Sequence, residues 1–355
     1  MIRVVAIAAA AVAACSAPAL QRDLARAEEH EKAGRYQLAL ASYQTAQQSC
    51  KKIRKPYLRR RTCAQAHTHR AELLEDLDRL EEAARAYEAV PAAVEGDPVP
   101  SAKSLYRAGR LRLELGQDER AYRLLWKAVT DFPDVAFSVD ALRLVFNDGR
   151  RRNPAQLYRV LSGLIEPLAG NDVSDNILYD MATLAEQEMK QPALARSHLD
   201  AIIERYPDGG LFDEACWHAA RLSRELGDPK GAVRRLKTLL ATREVALGAG
   251  SYFSIWLDNA QLELGIVLRD GLSEPRAAVR AFRQLPRDYP DSILRDDALF
   301  ESAVALRQAG ERDQACRALA ELARTWPDSK YELERAPALR RELACAGPDR
   351  AAETP

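Results

Sequence analysis

One spacing recurs along this chain: an alanine, then an aromatic or leucine four residues on, then an aliphatic three further. It occurs as Ala39-Tyr43-Ala46, Ala83-Tyr87-Val90, Ala121-Leu125-Ala128, Ala195-Leu199-Ile202, Ala232-Leu236-Leu239, Ala278-Phe282-Leu285 and Ala315-Leu319-Leu322. Positions i, i+4 and i+7 share one face of an α-helix, so each triplet marks an apolar stripe. The alanines lie 44, 38, 74, 37, 46 and 37 residues apart, and 74 is twice 37. Such a period implies an array of helical hairpins, because a lone hairpin leaves an apolar face open that its neighbours must cover.

The punctuation keeps the same phase. Gly34, Gly116, Gly227 and Gly310 stand five residues before their alanines, where the turn between two helices needs a left-handed or tight backbone. Pro133, Pro207, Pro290 and Pro327 follow their alanines by twelve residues and end the second helix. The 74-residue interval leaves room for one degenerate hairpin, roughly 138–146 and 154–168. The 44-residue interval holds a longer basic connection. Residues 330–344 read as a final helix covering the open end of the stack, and the polar residues 346–355 as a frayed tail.

These elements resemble the tetratricopeptide repeat. The alanine, the aromatic four residues on and the later proline match its second helix. Leu105, Ala108 and Gly109, and the pair Leu264-Gly265, match its first. The segments Tyr289-Pro290-Asp291-Ser292 and Trp326-Pro327-Asp328-Ser329 are similar to repeats of outer-membrane assembly and Tol-Pal-associated bacterial lipoproteins. The resemblance implies an all-α fold: a right-handed superhelical solenoid of about eight hairpins over residues 20–345, with a C-terminal capping helix. It also implies that first helices line a groove for partner proteins.

The amino terminus carries a sorting signal. Met1-Ile2-Arg3 is a minimal basic start, followed by eleven small or apolar residues, Val4 to Ala14. As a helix they span about 16 Å, too short for a hydrocarbon core of about 30 Å, so residues 1–14 read as a removed signal peptide. Val12-Ala13-Ala14-Cys15 resembles the lipobox of bacterial lipoproteins, with Val12 where leucine is commonest. That resemblance implies acyl chains on Cys15, a tether over residues 15–19 and, because Ser16 is not an aspartate, an outer-membrane address facing the periplasm. The other reading is an ordinary secretory peptide with Cys15 a plain thiol.

Five further cysteines would meet an oxidising compartment. Antiparallel stacking brings the end of a second helix to the start of the next first helix, which predicts Cys50–Cys63, and by the same reasoning Cys316–Cys345. Cys216 reads as a buried small hydrophobe. Cys63 and His67 lie one helical turn apart, but His69 points elsewhere and no second ligand pair has metal spacing, so no metal is expected. His30-Glu31 lacks the second histidine of a zincin, and neither a G-x-S-x-G nor a phosphate loop occurs. No cofactor and no catalysis are expected.

Lys+Arg and Asp+Glu both number 52, which gives no global argument for nucleic acid. Locally, seven of the eleven residues Lys51 to Arg61 are basic: a solvated loop pinned by the flanking cysteines, or a patch for anionic headgroups. On the first helices Trp217, Arg221 and Arg224 form one stripe, as do Tyr106 with Arg110 and Phe300 with Arg307. Aromatics and arginines are the types that make interface hot spots, although the same residues also suit packing between hairpins. Glu28, Glu31, Glu72 and Glu75 would make the other end of the groove acidic. The expected function is a lipid-anchored, non-enzymatic scaffold for other envelope proteins. The alternatives are a peptidoglycan- or carbohydrate-binding periplasmic protein, or a component of a secretion or motility complex.

Overall fold

Every residue of the seven triplets is at most 2% exposed, so the alanine spacing is the core itself. The computed structural model describes residues 18–50, 53, 56–249 and 254–345, and among these there is no strand. The signal peptide, Cys15, most of the tether, Lys51, Lys52, Arg54, Lys55 and the tail 346–355 lie outside the described residues.

The chain divides into two compact units, residues 1–177 and 178–355. In the first, α1 (Pro18–Lys32) pairs with α2 (Tyr36–Cys50), and α3 (Pro56–Asp76) with α4 (Leu80–Glu88). A short α5 (Val90–Ala93) follows. Then α6 (Pro98–Glu114) pairs with α7 (Asp118–Asp131), and α8 (Ala136–Arg152) with α9 (Pro154–Ser162). The last pair is the expected degenerate hairpin, with a longer first helix and a second that gives way to turns after Ser162. The division falls within α10 (Ser174–Thr183).

The second unit continues with α11 (Pro192–Arg205), α12 (Phe212–Glu225), α13 (Pro229–Ala249) and α14 (Leu257–Ile266). After these come α15 (Pro275–Asp288), α16 (Arg295–Gln308), α17 (Arg312–Thr325) and α18 (Ala336–Glu342). The closing element is less regular than one helix, because a π-turn at Tyr331–Arg335 precedes α18. One correction concerns the 44-residue interval. The basic stretch is only partly a loop, since Pro56 starts α3 from the first-turn position that tolerates proline. The 46-residue interval is filled by the lengthening of α13 to 21 residues.

Within a hairpin, a small first-helix residue faces the large residue of the triplet. A Cβ added to Gly109 would lie 2.6 Å from the Leu125 side chain, and one on Gly265 would lie 2.3 Å from the Phe282 ring. Sixteen residues separate Gly109 from Leu125, and the same spacing puts Ala27, Ala71, Ala220 and Ala303 before Tyr43, Tyr87, Leu236 and Leu319. Gly265 and Phe282 are seventeen apart. The extra residue is wound into the π-turn Val267–Gly271, and a second π-turn at Leu184–Glu188 does the same between Ala182 and Leu199.

All seven turns place a residue at positive φ five positions before the alanine. Four are glycines, at φ 70° to 76°; the others are Asp78 (57°), Lys190 (55°) and Ser273 (55°). The backbone is therefore the same in every repeat, and in three of them an L side chain bears a left-handed conformation that costs about 1–2 kcal/mol.

Two predictions follow from this geometry. Gly265→Ala gains about 1 kcal/mol of helix propensity but overfills a site closed by a buried ring, at up to about 3 kcal/mol; the net effect is a lower urea midpoint. Ser273→Gly relieves a strained turn and raises the midpoint by about 1 kcal/mol equivalent. Equilibrium urea unfolding followed by circular dichroism reads both.

Candidate partner-binding surfaces of the repeat array

The first unit holds a cleft of about 800 Å³ between α1, the start of α2, and α3. Five carboxylates line it, Glu28, Glu31, Glu72, Glu75 and Asp76, together with Lys32, Tyr36, Tyr43, His69 and Arg107. Tyr43 donates its hydroxyl to Glu31 at 2.7 Å, and Tyr87 donates to Glu75 at 2.9 Å, each across twelve residues of its own hairpin. Burial, then the facing carboxylate, pushes both phenols well above their usual range. Both therefore stay donors and orient their glutamates.

Part of the acidity is neutralised from α6. Lys103 Nζ reaches Glu72 at 2.7 Å, and Arg107 reaches Glu75 at 3.2 Å, with Arg110 also on Glu75. Glu28 and Asp76 carry no ion pair among the described residues. The cleft thus keeps excess negative charge beside an exposed aromatic, Tyr36, which suits a cation-bearing peptide segment.

The arginines expected in the groove are engaged within the array. Arg110 pairs with Glu75, Arg221 with Glu186 and Arg307 with Glu342, each across 35 residues, one repeat along. Arg224 pairs with Glu263. The aromatics are also occupied. Tyr106 lies beside Phe137 at 6.1 Å, and Trp217 stacks on Trp256 at 5.3 Å and 15°. Phe300 is a correction: it is 2% exposed, stacked on Tyr331 at 4.8 Å with the Arg335 guanidinium over it at 4.7 Å, so it offers no surface to a partner. The closing π-turn covers it through Tyr331 and Arg335.

The cysteines expected to pair do come together. Cys50 and Cys63 form a disulfide with Cα atoms 5.6 Å apart, joining the end of α2 to the second turn of α3. Cys316 and Cys345 do so at 5.5 Å, fastening the closing element to α17. Each closed loop is worth about 3 kcal/mol. Cys216 is free and buried, and burial raises its thiol to about 12, which leaves it unreactive. Among the described residues no three His, Cys, Asp or Glu side chains gather as metal ligands.

Three features were not foreseen. Arg112 is fully buried and donates to Glu81 (2.7 Å), Glu88 (2.6 Å) and Gln117 (2.8 Å), tying α4 to α6 and to the turn before α7. Arg269 pairs with Glu301, both at about one-tenth exposure. Trp256 and His218 extend the Trp217 stack, and burial lowers the His218 pKa. The last cluster had a sequence signal in the irregular 46-residue interval; the two buried arginines had none.

The repeat boundaries agree with a family model. Residues 103–134, 177–209, 259–292 and 297–329 match the tetratricopeptide repeat family model, each match covering most of one hairpin. The chain thus carries tetratricopeptide repeats. Among solved structures it is similar to MamA (14% identity, 66% of this chain and 96% of that one, TM-score 0.36). It is also similar to PilW, a type IV pilus biogenesis factor (15%, 76% and 96%, 0.36). A third is the C-terminal part of a repeat protein from Cytophaga hutchinsonii (16%, 77% and 98%, 0.42). No curated protein matches.

The Arg112 cluster gives a pH prediction. Hydrogen bonds from Arg112 and Gln117 hold the Glu81 carboxyl down to about 2, from an ordinary 4.5. A depressed folded pKa contributes stability that is complete above 4.5 and is lost as pH falls toward 2. Urea midpoints of the wild type and Glu81→Gln should therefore differ most at neutral pH and converge through that window.

Proposed function

We propose that this chain is a lipid-anchored, non-enzymatic scaffold at the periplasmic face of a bacterial outer membrane, holding partner proteins on its first helices for envelope assembly. The carboxylate-lined cleft of the first unit carries the reading. It is concave, keeps unpaired negative charge and has its glutamates fixed by buried tyrosine hydroxyls, which is preorganisation suited to binding rather than turnover. The tetratricopeptide repeats support an interaction role. The lipobox-like Val12-Ala13-Ala14-Cys15 supports the anchor; α1 starts at Pro18, earlier than the expected tether end at residue 19, so the two residues between Cys15 and α1 reach only about 7 Å, which keeps the array near the bilayer. No described helix is long and apolar enough to cross a membrane.

Two measurements test it. Membranes washed in high salt, which strips proteins held by charge, should retain the wild type and release Cys15→Ala; retention of the variant overturns the anchor. A photo-crosslinking residue at Tyr36 should trap protein neighbours in cells, and Glu28→Lys with Asp76→Lys should abolish the adducts. The absence of adducts at Tyr36, or their survival in the double variant, overturns the cleft as the docking site.

A further inference from the structure

Three second helices of the second unit, α13, α15 and α17, carry a basic face. On α15, Arg276, Arg280, Arg283 and Arg287 run at i, i+4, i+7 and i+11, and all are exposed. On α13, Lys230, Arg234 and Lys237 repeat the pattern, and α17 adds Arg317 and Arg324. The pattern is in register: Arg234, Arg280 and Arg317 each lie two residues after the repeat alanine. Arg276 is paired with Glu311, and Arg283 donates to Gln314 at 3.2 Å. The other seven have no hydrogen bond or ion pair among the described residues.

The first unit handles the same positions differently. Arg85 pairs with Glu81 and Arg123 with Glu119, four residues earlier on the same helix. On α13 and α15 that earlier position is Lys230 before Arg234 and Arg276 before Arg280, so like charges replace the ion pair, whereas α17 keeps Asp313 before Arg317. Like charges at this spacing weaken a helix; Glu311 offsets Arg276, and the remaining cations are open to a counter-charge from outside the chain.

A cleft of about 450 Å³ opens into this face between α15 and α17, floored by Ala298, Leu299 and Ser302 of α16. Arg283, Arg287, Arg295 and Arg317 line it, with Trp326 and a single carboxylate, Glu321. Arg295 is held in place by the carbonyl of Ser292 at 2.8 Å and lies over the Trp326 ring. Apolar side chains stand near the cleft in the chain. Ile293, between Arg287 and Arg295, is 87% exposed, and Ile255, at the same position one repeat earlier, is 76% exposed. Each directly follows a serine whose Oγ accepts from the backbone N–H two residues on, at the residue that precedes the next first helix.

We propose that this face docks on an anionic phospholipid bilayer, with the arginine-lined cleft receiving a phosphate headgroup. A bilayer matches what the face presents. Its anionic charge extends over a surface, as the cations do across three hairpins, and its apolar interior accepts isoleucine and tryptophan beside arginine. Arginine forks suit phosphate oxygens. The site lies in the second unit, apart from the acidic cleft, and does not depend on Cys15.

The test uses the chain from position 15 onward with Cys15→Ser, so that no lipid anchor contributes. It should sediment with phosphatidylcholine vesicles containing phosphatidylglycerol and not with pure phosphatidylcholine. Arg283→Glu/Arg287→Glu/Arg317→Glu removes three solvent-facing charges and should weaken that binding at least about tenfold, with an unchanged circular dichroism spectrum. The first-unit set Arg123→Glu/Arg143→Glu/Arg159→Glu, equal in charge change, should bind within about twofold of the parent. Equal loss in both sets reduces the effect to net charge and overturns the proposal. So does binding to neutral vesicles. Displacement from vesicles by millimolar glycerol phosphate would assign the cleft to a soluble phosphate ester, and tighter binding to polyglutamate than to vesicles would assign the face to an acidic protein; either result overturns the lipid reading.

Discussion

The close approach of two helices within each hairpin is the constraint on which the rest depends. A second helix presents alanine at its point of contact and a large side chain one turn later, and the first helix must answer with glycine or alanine. Where it does, as at Gly265 against Phe282, there is no room for one more carbon. The fixed contact dictates the backbone on both sides of it. Each turn adopts the same left-handed step, with or without glycine, and an extra residue in a first helix is absorbed as a π-turn rather than shifting the contact. Packing of this precision, repeated seven times, explains how short helices of weak intrinsic stability hold together.

Once the hairpins are fixed at one spacing, polar groups one repeat apart are brought side by side. Ion pairs and hydrogen bonds therefore recur at a sequence separation of 35: Arg110 to Glu75, Tyr179 to Glu214, Arg221 to Glu186, Arg235 to Asp200, Arg276 to Glu311 and Arg307 to Glu342. The exposed pairs contribute little each. Arg112 and Arg269 are different, because a buried guanidinium stripped of its carboxylates would cost several kcal/mol. These pairs hold neighbouring hairpins in register, which is why arginines that look like hot spots in the sequence are already engaged in the fold.

The sequence made the period, the glycine turns, the terminating prolines and the second-helix core legible, since each depends on residues within one hairpin. It hid Lys190 and Ser273 as left-handed residues, because nothing in a lysine or serine marks that conformation, and Asp78 nearly so, since aspartate only modestly favours it. It hid the partners of each arginine, because these lie one hairpin away and the register of stacking is set by packing. Phe300 shows the limit: helical phase alone could not tell that the π-turn at Tyr331–Arg335 covers it. The acidic cleft was foreseen in Glu28, Glu31, Glu72 and Glu75, while the tyrosine hydroxyls that fix two of them were not.

Equal totals of acidic and basic residues leave the chain with no net charge, yet the fold separates the two signs. In the second unit α13, α15 and α17 carry five, four and three basic residues against one, one and two acidic. The first helices run the other way: α12 and α16 each hold two basic residues against three acidic, and α14 with its π-turn holds one against three. First and second helices present different faces, so alternation along the chain becomes segregation in space. Net charge averages over both faces and reports neither. A ligand meets one face at a time within a Debye length of about 8–10 Å, so the charge that governs binding is the charge of a helix row.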